Sequence, residues 1–199
     1  MAPYEWKGVF MEESPTGCWT NHHSFVEFNG EWYLFYHHND FSPTFDKNRS
    51  VRVDKVYFRE DGTIIPVVPT WRGVGYFKAS DELNIDRYSE CVGAKIDYLD
   101  EYNYFAGWKV RFTQPYDRVR FDDVDFGATA PKKIVFRARS ESGAEVHVSV
   151  GNVGKGVALP ACQDWTILEV PTSMKVTGMQ NVTVELVSGA VEVDWISFR

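Results

Sequence analysis

The chain has 199 residues, enough for one large domain or an ordinary domain with a smaller unit, and 44% of them are hydrophobic, which excludes wholesale disorder. Its net charge of -7 and the lack of a Lys/Arg-rich run exclude a nucleic-acid footprint, and an acidic surface suits neutral or cationic ligands better than polyanions. No apolar run is long enough for a membrane helix, and the opening Met1-Ala-Pro-Tyr4 shows neither the basic nor the apolar region of a signal peptide.

The chain reads as all-β, with short β-rich runs between turn signals and no convincing helix. A strand-like run, Tyr4 to Met11, is followed by a loop with Pro15 and Gly17. Then Ser24-Phe-Val-Glu-Phe28 and Glu31-Trp-Tyr-Leu-Phe-Tyr36 flank Asn29-Gly30, which predicts a hairpin closed by a type I′ turn. A strand over Ser50 to Phe58, a turn at Asp61-Gly62 and a closing strand over Thr63 to Val68 complete a four-stranded antiparallel unit of the size of one propeller blade. This unit spans residues 1–72, and residues 73–199 read as a jelly-roll β-sandwich. In the latter, Ile134, Phe136 and Ala138 share a face, as do Val146, Val148 and Val150, and Val182, Val184 and Leu186. Cys18, Cys91 and Cys162 form neither a zinc pattern nor a disulfide framework and read as buried or incidental thiols.

Two regions carry candidate chemistry. With Asn29 and Gly30 as turn residues, cross-strand partners sum to 59, so His22 faces His37 and His23 faces Tyr36. These imidazoles and His38, with Asn21, Asn39 and Asp40, gather at the open end of the hairpin, where they either bind a metal or polar ligand or form a hydrogen-bonded plug. A sugar site needs an aromatic platform and polar groups. The loop Tyr102-Asn-Tyr104-Phe105-Ala-Gly-Trp108 supplies both, with Phe112, Tyr116 and Trp165 as further aromatics; the spacing of Trp165 and Ile167 favours a core position for Trp165.

The stretch Thr20-Asn-His-His-Ser-Phe-Val-Glu-Phe-Asn-Gly-Glu-Trp-Tyr-Leu-Phe-Tyr-His37 resembles the fifth blade of family-43 glycoside hydrolases, as do Asn48-Arg-Ser-Val-Arg-Val-Asp54 and Glu60-Asp-Gly-Thr-Ile-Ile65. That family comprises five-bladed propellers acting on arabinose- and xylose-containing glycans. The resemblance implies that His22 or His23 lies near a central channel, often beside a calcium ion. It also places the catalytic acids on earlier blades, outside residues 4–68. A glycosidase needs two carboxylates about 5–9.5 Å apart across the scissile bond. Glu27 and Glu31 flank the turn, far from the histidines, so no intrinsic glycosidase activity is expected.

Residues 80–199 resemble a family-6 carbohydrate-binding module. Ile85-Asp-Arg-Tyr88 stands at that family's opening run, Tyr116-Asp-Arg-Val-Arg-Phe121 at its G-D-W-V-x-Y run, and Val191-Glu-Val-Asp-Trp-Ile-Ser-Phe198 at its closing strand. The resemblance implies a structural calcium held by Asp86 and Asp194. It aligns Phe112 with a cleft tyrosine, Glu192 with a ligand asparagine, and Ala161 or Cys162 with a stacking tryptophan. The usual cleft is therefore altered: either sugar binds on another face, or the module is a structural companion of a propeller. The site expected from the sequence comprises Tyr102, Tyr104, Trp108, Phe112 and Glu192 for carbohydrate and Asp86, Asp194, His22 and His23 for metal. The expected partner is a xylan- or arabinoxylan-type plant polysaccharide, bound without catalysis by the C-terminal portion of a secreted or periplasmic hydrolase. Self-association through the exposed blade is a further expectation.

Overall fold

A computed structural model describes residues 3–12, 21–39 and 49–199. Cys18, Asp40, Pro15 and Gly17 lie outside these residues. The chain divides into two compact units, Met1–Val74 and Gly75–Arg199.

The first unit is built on β1 (Ser24–Phe28), β2 (Glu31–His38) and β3 (Ser50–Val56), an antiparallel sheet in the order β1-β2-β3. Asn29 and Gly30 join β1 to β2 at φ 52° and 79°. Positive φ at both central residues defines the type I′ turn, whose twist matches the flanking strands. The register runs from Phe28↔Glu31 to Ser24↔Phe35, which is the predicted pairing. Leu34, Tyr36 and Val56 are buried on one face with Val67, and Phe10, Met11, Phe25 and Ile64 pack against them.

The fourth strand does not form among the described residues. Tyr4 to Met11 and Thr63 to Val68 form isolated bridges, Met11 to Val67 and Ile64 to Phe58, with the Ile65 and Val67 amides donating to the Tyr57 and Phe10 carbonyls at 2.8 and 2.7 Å. Pro66 and Pro69 supply no N–H to a ladder, and Gly8 turns the backbone to φ 112°. The trailing segment is held instead by a buried carboxylate. Asp54 accepts from the Tyr36 hydroxyl at 2.5 Å, from the Thr70 hydroxyl at 2.5 Å and from the Thr70 amide at 3.1 Å. Arg52 donates to the Thr70 carbonyl at 3.1 Å and lies over the Trp71 ring. Burial pushes the Asp54 carboxyl above its ordinary range, against the pull of these donors.

The second unit is a β-sandwich. Its strands are β4 (Phe77–Lys78), β5 (Leu83–Asn84), β6 (Glu90–Val92), β7 (Lys95–Tyr98), β8 (Trp108–Phe112), β9 (Arg118–Asp125), β10 (Lys133–Ser140), β11 (Ala144–Val150), β12 (Val153–Leu159), β13 (Cys162–Pro171), β14 (Met179–Gly189) and β15 (Val191–Phe198). One sheet runs β13-β10-β15-β8-β7 with β5 on β15; the other runs β12-β11-β14-β9-β4 with β6 on β9. The alternation read from the sequence is the packing: Ile134, Phe136, Val146, Val148, Val182, Val184 and Leu186 are fully buried. Each such side chain contributes roughly 1.5–3 kcal/mol of burial free energy. The pairing of β10 with β15 shifts register between Arg137↔Trp195 and Ala138↔Val193, so Asp194 is the extra residue of a bulge.

Gly189 ends β14 at φ 79°, and a methyl group there would meet the Gly143 carbonyl oxygen at 2.3 Å. Gly178 also has positive φ, 64°, but faces open space. Gly189→Ala is expected to destabilise the chain by at least about 2 kcal/mol, and Gly178→Ala by about 1 kcal/mol. Paired urea denaturation curves test the ranking.

Candidate functional site

The β7–β8 hairpin carries an aromatic pile. Tyr98 and Trp108 sit directly opposite each other at the base of its loop, with ring centroids 4.6 Å apart and planes at 28°. Tyr104 lies on Tyr98 at 4.4 Å and 35°. Its position follows from local hydrogen bonds in the loop. Asp100 accepts from the Tyr102 amide at 2.8 Å, and Asn103 accepts from the Phe105 amide at 3.2 Å, nucleating a 3-10 turn over Tyr104–Ala106. Tyr104 remains 63% exposed, Tyr102 is 92% exposed outside the pile, and Phe105 at the turn is fully exposed. Thus Tyr104 and Trp108 are brought together, through Tyr98. The sequence reading missed Tyr98, whose signal is its place just before a Gly-containing loop that returns at Trp108.

A cleft of about 470 Å³ lies at the other end of β8. Phe112 is about 13 Å along the strand from Trp108. Arg111, Arg139, Glu192, Glu141, Cys162 and Gln163 are among the lining residues. The positions aligned with a sugar cleft, Phe112, Glu192 and Cys162, do converge here. However, Phe112 is fully buried, which corrects its expected stacking role. It follows Trp108 and Val110 on the inward face of β8, so its ring fills the core and offers no face to a sugar. The two thiols among the described residues, Cys91 and Cys162, are half-buried and free. Trp165 is half-buried too, with the Arg137 and Arg139 guanidinium carbons 5.2 and 5.0 Å from its ring centroid.

Glu192 is the centre of an ion-pair ladder. On β15 it is flanked directly by Arg139 of β10 and Arg111 of β8. Its carboxylate lies 2.6 Å from Arg139 Nε, 3.1 Å from Lys109 Nζ and 3.5 Å from Arg111 Nε. Asp97 takes Arg111 at 3.5 Å and Lys109 at 4.0 Å on the far side. Burial alone would raise the Glu192 pKa, but the hydrogen bonds from Arg139 and Lys109 outweigh it and hold the carboxyl below its ordinary value.

The bulge at Asp194 sets a second pair of acids. The Ile85 amide donates to the Asp194 carbonyl at 2.8 Å, which brings Asp86 beside it. Both carboxylates are buried. Burial holds Asp86 up at about 6; Arg87 opposes this, while the Asp194 charge adds to it. Burial also raises Asp194, which is ion-paired with Arg137. Two desolvated carboxylates close enough for the Asp194 charge to act on Asp86 suit a hard cation, and backbone carbonyls would have to complete its shell. No group of three or more His, Cys, Asp or Glu able to hold a metal occurs among the described residues.

The histidines do not act as one pair. The His22 amide donates to His37 Nε2 at 3.1 Å, and the two rings meet edge-on at 5.7 Å. His23 packs against Phe10 and Phe25 at 4.9 and 5.8 Å. Adjacent residues of an extended segment point to opposite faces, so His22 and His23 diverge and do not share a ligand. Burial and the neighbouring Arg49, His22 and His38 push the His37 pKa down, so the ring is held neutral. With Nε2 accepting, its proton is assigned to Nδ1.

The second unit is thus a two-sheet β-sandwich with an aromatic pile at one sheet edge and a charged cleft at the far end of β8. In comparison with known proteins, no family model matches the chain. A 67-residue stretch is 40% identical to a xylosidase/arabinosidase 43A of Humicola insolens, covering 34% of this chain and 20% of that protein. The chain spans about a fifth of the length of the curated relatives it matches. A family-43 arabinoxylan arabinofuranohydrolase of Bacillus subtilis, solved with cellotetraose, aligns over 100% of this chain and 45% of its own at TM-score 0.62 and 22% identity. A family-6 carbohydrate-binding module of Clostridium stercorarium, solved with cellobiose, aligns over 62% of this chain and 96% of its own at TM-score 0.53 and 18% identity. The chain is therefore similar in part to family-43 glycoside hydrolases by sequence, and its sandwich has the fold of family-6 carbohydrate-binding modules.

Glu192, with its lowered pKa, stabilises the folded state fully above its ordinary value of 4.5 and loses that contribution as pH falls through the lower folded value. Glu192→Gln is expected to cost about 1–3 kcal/mol at pH 7. Thermal melts of the two proteins from pH 7 to pH 3 should converge on acidification; a gap that is constant with pH would contradict the ion-pair reading.

Proposed function

We propose that this chain is a non-catalytic carbohydrate-binding portion of a xylan- or arabinoxylan-degrading glycoside hydrolase, with its first unit the remnant of the last propeller blade. The observation that carries this reading is the aromatic pile of half-buried Tyr98 and Trp108 topped by exposed Tyr104, on a sandwich of carbohydrate-binding fold. Aromatic faces stack on the apolar faces of pyranose rings, and Asn103 and Tyr102 lie in the same loop to meet hydroxyls. The non-catalytic reading is supported by Asp54, whose two oxygens are already bonded to Tyr36 and Thr70. A secreted or periplasmic location belongs to this reading, because plant polysaccharides lie outside the cell.

Trp108→Ala and Tyr104→Ala are each expected to weaken binding to xylo-oligosaccharides by about tenfold. Calorimetry and affinity electrophoresis against xylan, arabinoxylan, β-glucan and cellulose check this, and retention on none would sink it. Aryl xyloside and arabinofuranoside should show no turnover; turnover that survives repurification contradicts the non-catalytic reading.

A second reading, a structural companion domain, is favoured by the burial of Phe112 and the ion pairs of Glu192. It differs in predicting that no glycan is retained. In either reading Asp86 and Asp194 are the residues proposed to hold a structural calcium. Chelator should then lower the melting temperature, and Asp86→Asn should abolish the response. An unchanged melt in wild-type protein would remove calcium from the account. Val26, Phe28, Phe35 and Val51 share the sheet face opposite the first unit's core and are exposed, which supports self-association through that face.

A further inference from the structure

We infer that the charged cleft takes a carboxylate-bearing sugar, a uronic acid carried on an otherwise neutral glycan; the inference rests on the carbohydrate-binding reading and names a ligand class for a second site. The cleft is large enough for sugar residues, since small-molecule sites run from about 300 to 1,000 Å³. It lacks what a neutral pyranose needs most. The one aromatic ring among its lining residues, Phe112, is fully buried, so no ring face is offered for stacking. Recognition in this cleft has to come from charge and hydrogen bonds.

The charges are arranged for an anion. Lys109, Arg111 and Arg139 converge on the single Glu192 carboxylate. Lys109 and Arg111 share Asp97 on their other side, and the cleft wall itself carries two arginines, Arg111 and Arg139, with two glutamates, Glu141 and Glu192. Arg139 meets Glu192 through Nε. A guanidinium presents five N–H donors in a planar fork, so this bond leaves the outer edge of the fork to a ligand. That edge matches a carboxylate in two parallel hydrogen bonds. Trp165 stacks near the Arg139 guanidinium and Glu192 fixes its inner edge, so the fork is preorganised. Arg111 is half exposed and engages its carboxylates at the longer distance of 3.5 Å, which leaves it mobile enough to join. Thr113, Ser142 and Gln163 supply neutral donors and acceptors for sugar hydroxyls.

The test is calorimetry on the full chain with a xylo-oligosaccharide bearing one glucuronic acid and with the same compound after its carboxyl is reduced to the alcohol. The acidic form is expected to bind about tenfold tighter or more at low ionic strength. The preference should shrink as salt rises and be lost in Arg139→Gln. Arg111→Gln, at a half-exposed position, should weaken it severalfold, and it keeps the inference testable if Arg139→Gln does not fold. Equal affinity for the two forms overturns the inference, as does a preference that survives both substitutions. Neutral binding without a carboxylate preference would sink this inference alone and leave the aromatic site standing. Binding to neither form would sink both.

Discussion

A single carboxylate, Glu192, organises the end of the sandwich where the charged cleft lies. Its neighbours across the sheet, Arg111 and Arg139, come from the two strands that flank β15. A carboxylate placed there must be answered by cations, because a half-buried charge without partners is costly. Lys109, Arg111 and Arg139 provide the answer, and in doing so they tie β8, β10 and β15 together on one surface. The same requirement decides the chemistry of the cleft. The cleft is walled by guanidinium groups, and the aromatic pile lies at the opposite end of β8.

That platform depends on β-sheet register. Trp108 and Tyr98 are cross-strand partners at the mouth of a hairpin loop, so their rings are close before the loop is considered. The loop then folds back through the 3-10 turn and adds Tyr104. The pile sits at the sheet edge, on edge strand β7 and its partner β8, and Tyr104 is its exposed member.

Much of the fold was legible in the residues. Asn29-Gly30 set both turn type and register, and the valine alternation of β11 and β14 marked the core faces. The blade's fourth strand was misread because Thr63 to Val68 is β-rich, yet Pro66 and its neighbour Pro69 cannot donate to a ladder. Of the candidate site, Tyr104 and Trp108 meet in one aromatic pile through Tyr98, and Glu192 lies apart from them in the ion-pair ladder. Phe112 was misassigned although Trp108-Lys-Val-Arg-Phe112 itself alternates: Val110 and Phe112 share the inward face while Lys109 and Arg111 share the other. The divergence of His22 from His23 was implicit in the same rule. Two features were beyond the sequence: the bulge that brings Asp194 beside Asp86, and the convergence of three cations from two strands on one carboxylate.

The separation of a neutral aromatic site from a charged cleft is the central claim, and chemical-shift mapping of the labelled chain with neutral xylo-oligosaccharide tests it most directly. Shifts are predicted to concentrate on the amides of Tyr98, Tyr104 and Trp108 and on the Trp108 indole, leaving Arg139, Glu192 and Phe112 in place. Shifts centred on Phe112 and Glu192 instead, or none at all, would contradict the account.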